Sequence, residues 1–497
     1  MSPTLRKTLI ALGIVLLLLA AFVGYVWYGK PSDRPIAATM GTDVTLVEAD
    51  SETIPSVSLA DPVGWAADRM PTPAKGLAIS RFADGLDHPR TMLTLPNGDV
   101  LVALTNSPPR KSGGGITEWV MGLLLGKVGA GGPSPDKIVL LRDADGDGKA
   151  EQRFVFRTAD MASPSGMAFG RDKAGRNTLY IANHNAVLAF AFTPGATRLE
   201  SKPVKLMDLP AGGNHWMRNL LLSADGTRLL VAVGSASNIA ENGLAVETGR
   251  AAIWEISLET GRRRQYAAGM RNPNGMAWNP STGELWATVQ ERDMLGPDLV
   301  PDYLTNVPVG AQYGWPWMYW KDQYDERVEH NMPMYMGEYV RKPEYALGAH
   351  TGVLGLAFSG GGNRMGPAFA NGAFIARHGS WNRKPAVGYD VIFVPFDARG
   401  NPENISKPVL TGFLVPGKHE THGRPTWLAW DKAGALLVSD DTAGIIWRVI
   451  APDAGPSSAP AAVVSNGLPP KKALTGDPTG QWKGTITNDY ITDPSEQ

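Results

Sequence analysis

The stretch "NLLLSADGTRLLVAVG", residues 219–234, decides how the chain is read. Two apolar runs flank an Asp-Gly pair, and that arrangement signals a hairpin of two half-buried strands. The same pattern recurs outward in both directions. It reads "TMLTLPNGDVLVAL" from Thr91, "GMAFGRDKAGRNTLYIAN" from Gly166 and "GMAWNPSTGELWATV" from Gly275. Two more copies are "LGLAFSGGGNRMGPAFANGAFIARHG" from Leu354 and "WLAWDKAGALLVSDD" from Trp427. The starts lie 75, 53, 56, 79 and 73 residues apart, with further strands such as "AAIWEISL", "YDVIFVPF" and "IIWRVI" between them. A hairpin with one or two extra strands, repeated six times, predicts an all-β protein whose residues 76–452 form a six-bladed β-propeller. Two β-sandwiches in series are the competing architecture, which recurrence across the whole body disfavours.

Composition agrees. The 57 Gly and 39 Pro imply many turns and few long helices. Charge is balanced, 47 basic against 48 acidic residues, so nothing points to nucleic acid. There is no cysteine, which excludes disulfides, zinc-thiolate sites and covalently attached haem.

Outside the repeats, "MSPTLRKTLIALGIVLLLLAAFVGYVWYGK" places Arg6 and Lys7 before an apolar run from Leu9 to Gly29. Its length matches the roughly 20 residues that cross a bilayer, and Tyr25, Trp27 and Tyr28 resemble an interfacial aromatic belt. Residues 1–30 are therefore expected to be a single inner-membrane anchor with the body in the periplasm. A cleaved signal peptide is the alternative. Residues 31–75 read as a polar, Pro-rich stalk and 453–497 as a disordered tail.

Several stretches carry candidate chemistry. "RDADGDGKAE" alternates Asp143, Asp145 and Asp147 ahead of a glycine. A hard cation wants several oxygens on such a turn, although Phe154 stands where an EF-hand needs glutamate and the flanks are strands. It is either a metal-stapled hairpin or a solvated acidic turn. In "GMRNPNGMAW", Arg271 sits at the entry of the fourth hairpin, suited to a carboxylate or a developing oxyanion. "TVQERDMLGPDLVPDYL" holds Glu291, Arg292, Asp293, Asp298 and Asp302. The aromatics Tyr313, Trp315, Trp317 and Trp320 follow, suited to a flat ring or a sugar face. His215, His350, His378, His419 and His422 fall at or near loops that enter the hairpins, beside Arg383 and Arg424, which suggests one shared site at the propeller mouth.

Together "GMRNPNGMAW", "GELWATVQERDMLGPDLVPDYL", "YGWPW" and "HGSWNRKPAVGYDVIFVPF" resemble the glucose/sorbosone dehydrogenase family over roughly residues 75–450. Its members are six-bladed propellers that use pyrroloquinoline quinone (PQQ) and calcium. The resemblance implies that His215, on the corner "GGNHWMRN", is the general base. It implies that Arg271 stabilises charge on the quinone and that Asn272 contacts the cofactor. His350, Trp381, Arg383, Arg424 and Arg218 are the matching candidates to hold PQQ. Calcium falls to Glu291, Arg292, Asp298 and Asp302; glucose-oxidising members supply it with carbonyls from a Gly-Pro pair, and that position here reads Glu291-Arg292. Their PQQ-binding lysine has Asn382 or Arg383 nearest here. These departures place the chain closer to the sorbosone branch. The expectation is a dehydrogenase of a sugar or sugar aldehyde, passing electrons to a separate quinone or cytochrome. A calcium-dependent lactonase or a sugar-binding module is the non-redox alternative.

Overall fold

Each of the six hairpins forms the inner half of a blade in the computed structural model, which describes residues 2–53, 55–109, 126 and 132–463. Blade 1 runs Pro89–Thr94, Val100–Leu104, Lys137–Arg142 and Gln152–Arg157. Blade 2 runs Gly166–Arg171, Asn177–Ala182, Ala186–Ala191 and Val204–Asp208. The first strands of blades 3, 4, 5 and 6 are Leu220–Leu222, Asn272–Trp278, Val353–Phe358 and Pro425–Trp430. Blade 6 takes its outer strand, Ala78–Ala83, from the start of the propeller, paired antiparallel to Ile445–Ile450. This closure joins the two ends of the ring and removes a free sheet edge.

The blades pack through alternate faces of their strands. Trp286, Leu304 and Tyr345 of blade 4 meet Ile375, Ile392 and Val394 of blade 5 in one buried cluster. Near the axis the repeated glycine of the first strand has a steric reason. A Cβ on Gly275 would lie 2.4 Å from Leu354 O of the next blade, so only glycine lets the two strands pass.

The polar segment expected as a stalk is laid along the blades. Met40–Gly41 adds an edge strand to blade 4 and Thr72–Pro73 one to blade 5. The insertion between the third and fourth strands of blade 4 climbs blade 3, where Ala311–Gln312 pairs parallel with Ala267–Ala268. Its Tyr313 and Trp320 are buried against Tyr303, so they form core and not a ring-binding face.

One helix, α1 (Pro3–Tyr28), heads the chain. Its side chains are described continuously only to Leu18, and the expected belt of Tyr25, Trp27 and Tyr28 lies outside them. Among the described residues no helix is long and apolar enough to cross a membrane. Residues 463–497 form a second unit in which only Val463 is described, so most of the expected tail lies outside the described residues. Residues 453–462 belong to the propeller unit itself, where Ser457 N donates to Asn363 O at 2.8 Å.

Candidate active site

Antiparallel strands send every fourth-to-first and every second-to-third connection to the same end of the ring. His215, Arg271, His350 and Arg424 sit on the first kind of loop, and Arg90 is the second residue of the strand that follows one. Asn238, Asp293, His378 and Trp381 sit on the second kind of loop. All of them line one cavity of about 470 Å³ at this mouth.

His215 is held by the second-to-third loop of its own blade. Its Nδ1 lies 2.9 Å from Ser235 O and 3.0 Å from Ser235 Oγ. Ser235 Oγ donates its own proton to Ser237 O at 2.7 Å, so both Ser235 oxygens can only accept from the imidazole. Nδ1 therefore carries the hydrogen and Nε2 keeps a lone pair. Burial, then the neighbouring Arg271 charge, pushes the His215 pKa down to about 3. The group is a neutral base whose tautomer is fixed from behind. Gly234 makes room for it: a Cβ there would stand 2.3 Å from Asn272 Oδ1 and 2.6 Å from His215 Cβ. Asn272 is turned into the same space by Gln290, which accepts its Nδ2 at 2.8 Å.

Beside the base, where Ser235 N donates to the Arg271 carbonyl at 2.8 Å, begins a set of cations. Arg271 donates to Asp293 Oδ2 at 2.8 Å, to Asn238 Oδ1 at 2.8 Å and to the Glu291 carbonyl. His350 has left-handed backbone (φ 59), a conformation that costs energy outside glycine and collects at functional sites. Its Nδ1 faces Asp293 Oδ1 at 3.2 Å and its Nε2 faces Gly296 O at 3.0 Å. The carbonyl takes the Nε2 hydrogen and the carboxylate the Nδ1 hydrogen, which describes an imidazolium. Burial opposes that charge, but Asp293 outweighs it and raises the His350 pKa. Burial likewise works to raise Asp293, and Arg271 and His350 hold it below the usual carboxylate range. Across the mouth, Arg90 and His378 share Asp441. Arg424 donates to the His378 and Gly379 carbonyls. Arg90 lies 5.5 Å over the Trp216 ring, and its buried Nε has no hydrogen-bond partner.

The structure corrects part of the expected set. Arg218 is fully buried and donates to Pro210 O, His215 O and Met217 O, so it anchors the corner and does not line the cavity. Arg383 is turned away from the mouth to pair with Asp298 at 2.9 Å and to hold Ser32 and the Arg34 carbonyl. The Arg292 side chain is wholly buried against Glu291, Asp325 and the carbonyls of Pro316 and Met318, so it offers a cation only its backbone carbonyl. Asp302 lines the cavity but accepts the amides of Glu291 and Gly352. Burial raises its pKa to about 6. His422 bonds Gly64 O and packs on Trp65, a structural role.

The acids at the mouth are thus each committed to a cation or to amides. Among the described residues the one gathering of three or more acids or histidines close enough to share a metal is Asp143, Asp145, Asp147 and Glu151. Those residues lie between the third and fourth strands of blade 1, at the end of the ring opposite the mouth. Trp216 and Trp381 line the cavity, where Trp315 and Trp317 of the expected aromatic face do not. Ser235, Asn238, Asp293 and Arg90 complete the site. Of these, Arg90 had a signal: it precedes the first hairpin as Arg271 precedes the fourth. Ser235 and Asn238 had none.

The family described as TrAA12-like matches residues 139–306 and 322–451. A Borreliella burgdorferi protein described as uncharacterized is 29% identical over 244 residues, 47% of this chain and 60% of that one. The pyrroloquinoline quinone-dependent pyranose dehydrogenase of Coprinopsis cinerea is 31% identical over 124 residues, 22% of this chain and 16% of its own length. Each match therefore spans less than two thirds of the relative. Among solved structures, the calcium structure of a Trichoderma reesei carbohydrate-active enzyme of family AA12 is similar with a TM-score of 0.61 at 19% identity, covering 76% of this chain and 96% of that one. The holo PQQ domain of pyranose dehydrogenase from Coprinopsis cinerea gives 0.59 at 19% identity, covering 79% and 100%. At such identities the likeness establishes the propeller fold.

Proposed function

Because the chain belongs to the TrAA12-like family, we propose that it is a PQQ-dependent sugar oxidoreductase acting on an aldose or sugar aldehyde of the sorbosone and glucose type. The observation that carries this reading is one cavity that pairs a neutral imidazole, its Nε2 open, with a ring of cations.

The residues present fit PQQ, a flat tricarboxylate. Ligand cavities run from about 300 to 1,000 Å³, and this one holds about 470 Å³. Arg90, Arg271, Arg424 and His350 would bind the carboxylates and quinone oxygens, with the buried Arg90 Nε as a donor still to be satisfied. Trp216 and Trp381 supply aromatic surface, and Asn272 a side-chain amide. When bound, PQQ supplies a carbonyl oxidant that accepts two electrons as hydride from the substrate carbon. His215 Nε2 takes the proton of the substrate hydroxyl, so hydride and proton leave together as a carbonyl forms. An anionic ligand on Arg271 weakens the second cause of the depressed His215 pKa, while burial, the first cause, remains. Arg271 and His350 are the cations placed to meet negative charge that grows in the cavity.

The mouth carboxylates do not fit calcium, because cations or amides already occupy them, and no step uses it. We assign calcium a structural place only, at the Asp143–Glu151 turn. Helix α1 is read as an inner-membrane anchor with the propeller in the periplasm, and the electron acceptor as a separate quinone or cytochrome.

The test uses the full chain in mild detergent, supplied with PQQ, and follows dye reduction with a panel of aldoses. Sugar-dependent reduction is expected, and His215→Ala should abolish it while PQQ stays bound. Absence of retained PQQ, or unchanged turnover in the variant, overturns the reading.

A further inference from the structure

We propose that the mouth face of the propeller docks on a lipid bilayer, with α1 entering the membrane beside the cavity. The proposal rests on the anchor reading above and adds an orientation to it.

Helix α1 exposes Leu5, Leu9, Ile10, Leu12, Ile14, Val15, Leu16, Leu17 and Leu18. At 3.6 residues per turn, a run from Ile14 to Leu18 faces every direction around the axis. A helix apolar all round belongs in a protein core or in lipid, and here these side chains stand exposed. Lipid is the occupant that covers all sides of one helix.

The point where α1 joins the body sets the orientation. Gly29, with φ +57, packs so tightly on Ser56 that an added Cβ would lie 2.8 Å from its Oγ, and Lys30 N donates to the same Oγ at 2.7 Å. Ser32 N donates to Lys384 O at 2.7 Å, and Ser32 Oγ to Asp298 Oδ2 at 2.7 Å. Lys384 and Asp298 belong to the second-to-third loops of blades 5 and 4. Those loops deliver Trp381, Asp293 and Met294 to the cavity. Ser58, two residues past Ser56, gives its amide to Trp381 O at 2.7 Å. From Gly29 to a cavity-lining tryptophan the chain therefore measures roughly 15 Å or less, at about 3.6 Å per residue. The helix leaves from the rim of the mouth and is bonded to it, so the base of α1 turns with the propeller.

A second part of the rim agrees. The blade 4 insertion is tied to the mouth by Trp315 Nε1, which donates to Asn238 O, and by Arg327, which donates to the carbonyls of Asp293 and Met294. It exposes Met334 at 80%, Tyr335 at 65% and Tyr339 at 71%. Tyrosine and methionine on a rim next to an apolar anchor suit the bilayer interface. At the other end of the ring the turns carry Asp143, Asp145, Asp147, Lys173, Arg176, Glu259 and Arg262, groups that belong in water.

The chain has no cysteine, so one can be placed at will. Met334→Cys and Lys173→Cys in the full chain receive an environment-sensitive fluorophore. Each is reconstituted in phosphatidylethanolamine–phosphatidylglycerol vesicles that contain a headgroup spin-labelled lipid. Co-flotation with the vesicles and severalfold stronger quenching at residue 334 than at 173 support the proposal. Failure to co-float overturns the anchor and the docking with it. Co-flotation with equal quenching, or stronger quenching at 173, leaves the anchor standing and overturns the orientation. Dye reduction on the same vesicles reports the catalytic reading separately.

Discussion

Replacing Gly234 with alanine should disable the base without removing it. The backbone there is not left-handed, so alanine is tolerated locally and the effect is steric. The new methyl would meet Asn272 Oδ1 at 2.3 Å and His215 Cβ at 2.6 Å, where non-bonded heavy atoms settle at about 3.5–4.0 Å. Asn272 or His215 must therefore yield by roughly 1 Å, and a displacement of that size at a reacting group costs about 100-fold in rate. Overpacking costs about 1–3 kcal/mol, partly offset by about 0.4–1 kcal/mol from the stiffer unfolded chain. The expected result is a kcat/KM for PQQ-dependent dye reduction lowered about 100-fold, or ~2.7 kcal/mol, with a net loss of unfolding stability of no more than about 2.6 kcal/mol. Gly360→Ala, where an added Cβ meets nothing within 4 Å, is the control and should match the parent. If Gly234→Ala keeps kcat/KM within about twofold, the close packing of His215 and Asn272 is not what sets catalysis, against the proximity argument.

Three other outcomes follow from the same geometry. His215 stays neutral in the cofactor-free protein to about pH 3, while in the unfolded chain it takes a proton below ~6.5. Its depressed pKa therefore costs stability as pH falls, by up to about 2 kcal/mol at pH 5 from 1.5 units at 1.36 kcal/mol each. Denaturant unfolding of the parent and His215→Gln, compared at pH 6.5 and pH 5, should show that extra loss in the parent alone; parallel curves refute it. Arg383→Met should leave Asp298 buried without its cation and cost about 3–5 kcal/mol of stability, while PQQ retention is unchanged. Lost PQQ affinity in a folded variant would return Arg383 to the cofactor site. Replacing Asp143, Asp145 and Asp147 together by asparagine should leave turnover intact, because they lie at the far end of the ring, and a kinetic assay at saturating PQQ reads this directly.

The sixfold repeat is legible in the residue order alone. Hairpin patterning depends on neighbours within about fifteen residues, so six copies and their order were visible in one dimension, and with them the propeller and the placing of His215, Arg271, His350 and Arg424 at blade entries. The residue order also marked Asp293 as one acid among several in "QERDM". Where the long side chains point depends on the folded chain. Arg90, Arg218 and Arg271 each stand one residue ahead of a first strand or its hairpin, yet Arg90 and Arg271 line the cavity and Arg218 turns back to three carbonyls. A flexible side chain of that reach is directed by acceptors that arrive from distant segments: Asp293 from the next loop, Asp298 for Arg383 from another blade, Ser32 from the N-terminal segment. The tautomer of His215 was equally out of sight, since it follows from Ser235, twenty residues on, and from the direction in which that hydroxyl donates. Pattern fixes which residues reach the mouth, and the partners that meet them across the blades fix what each can do there.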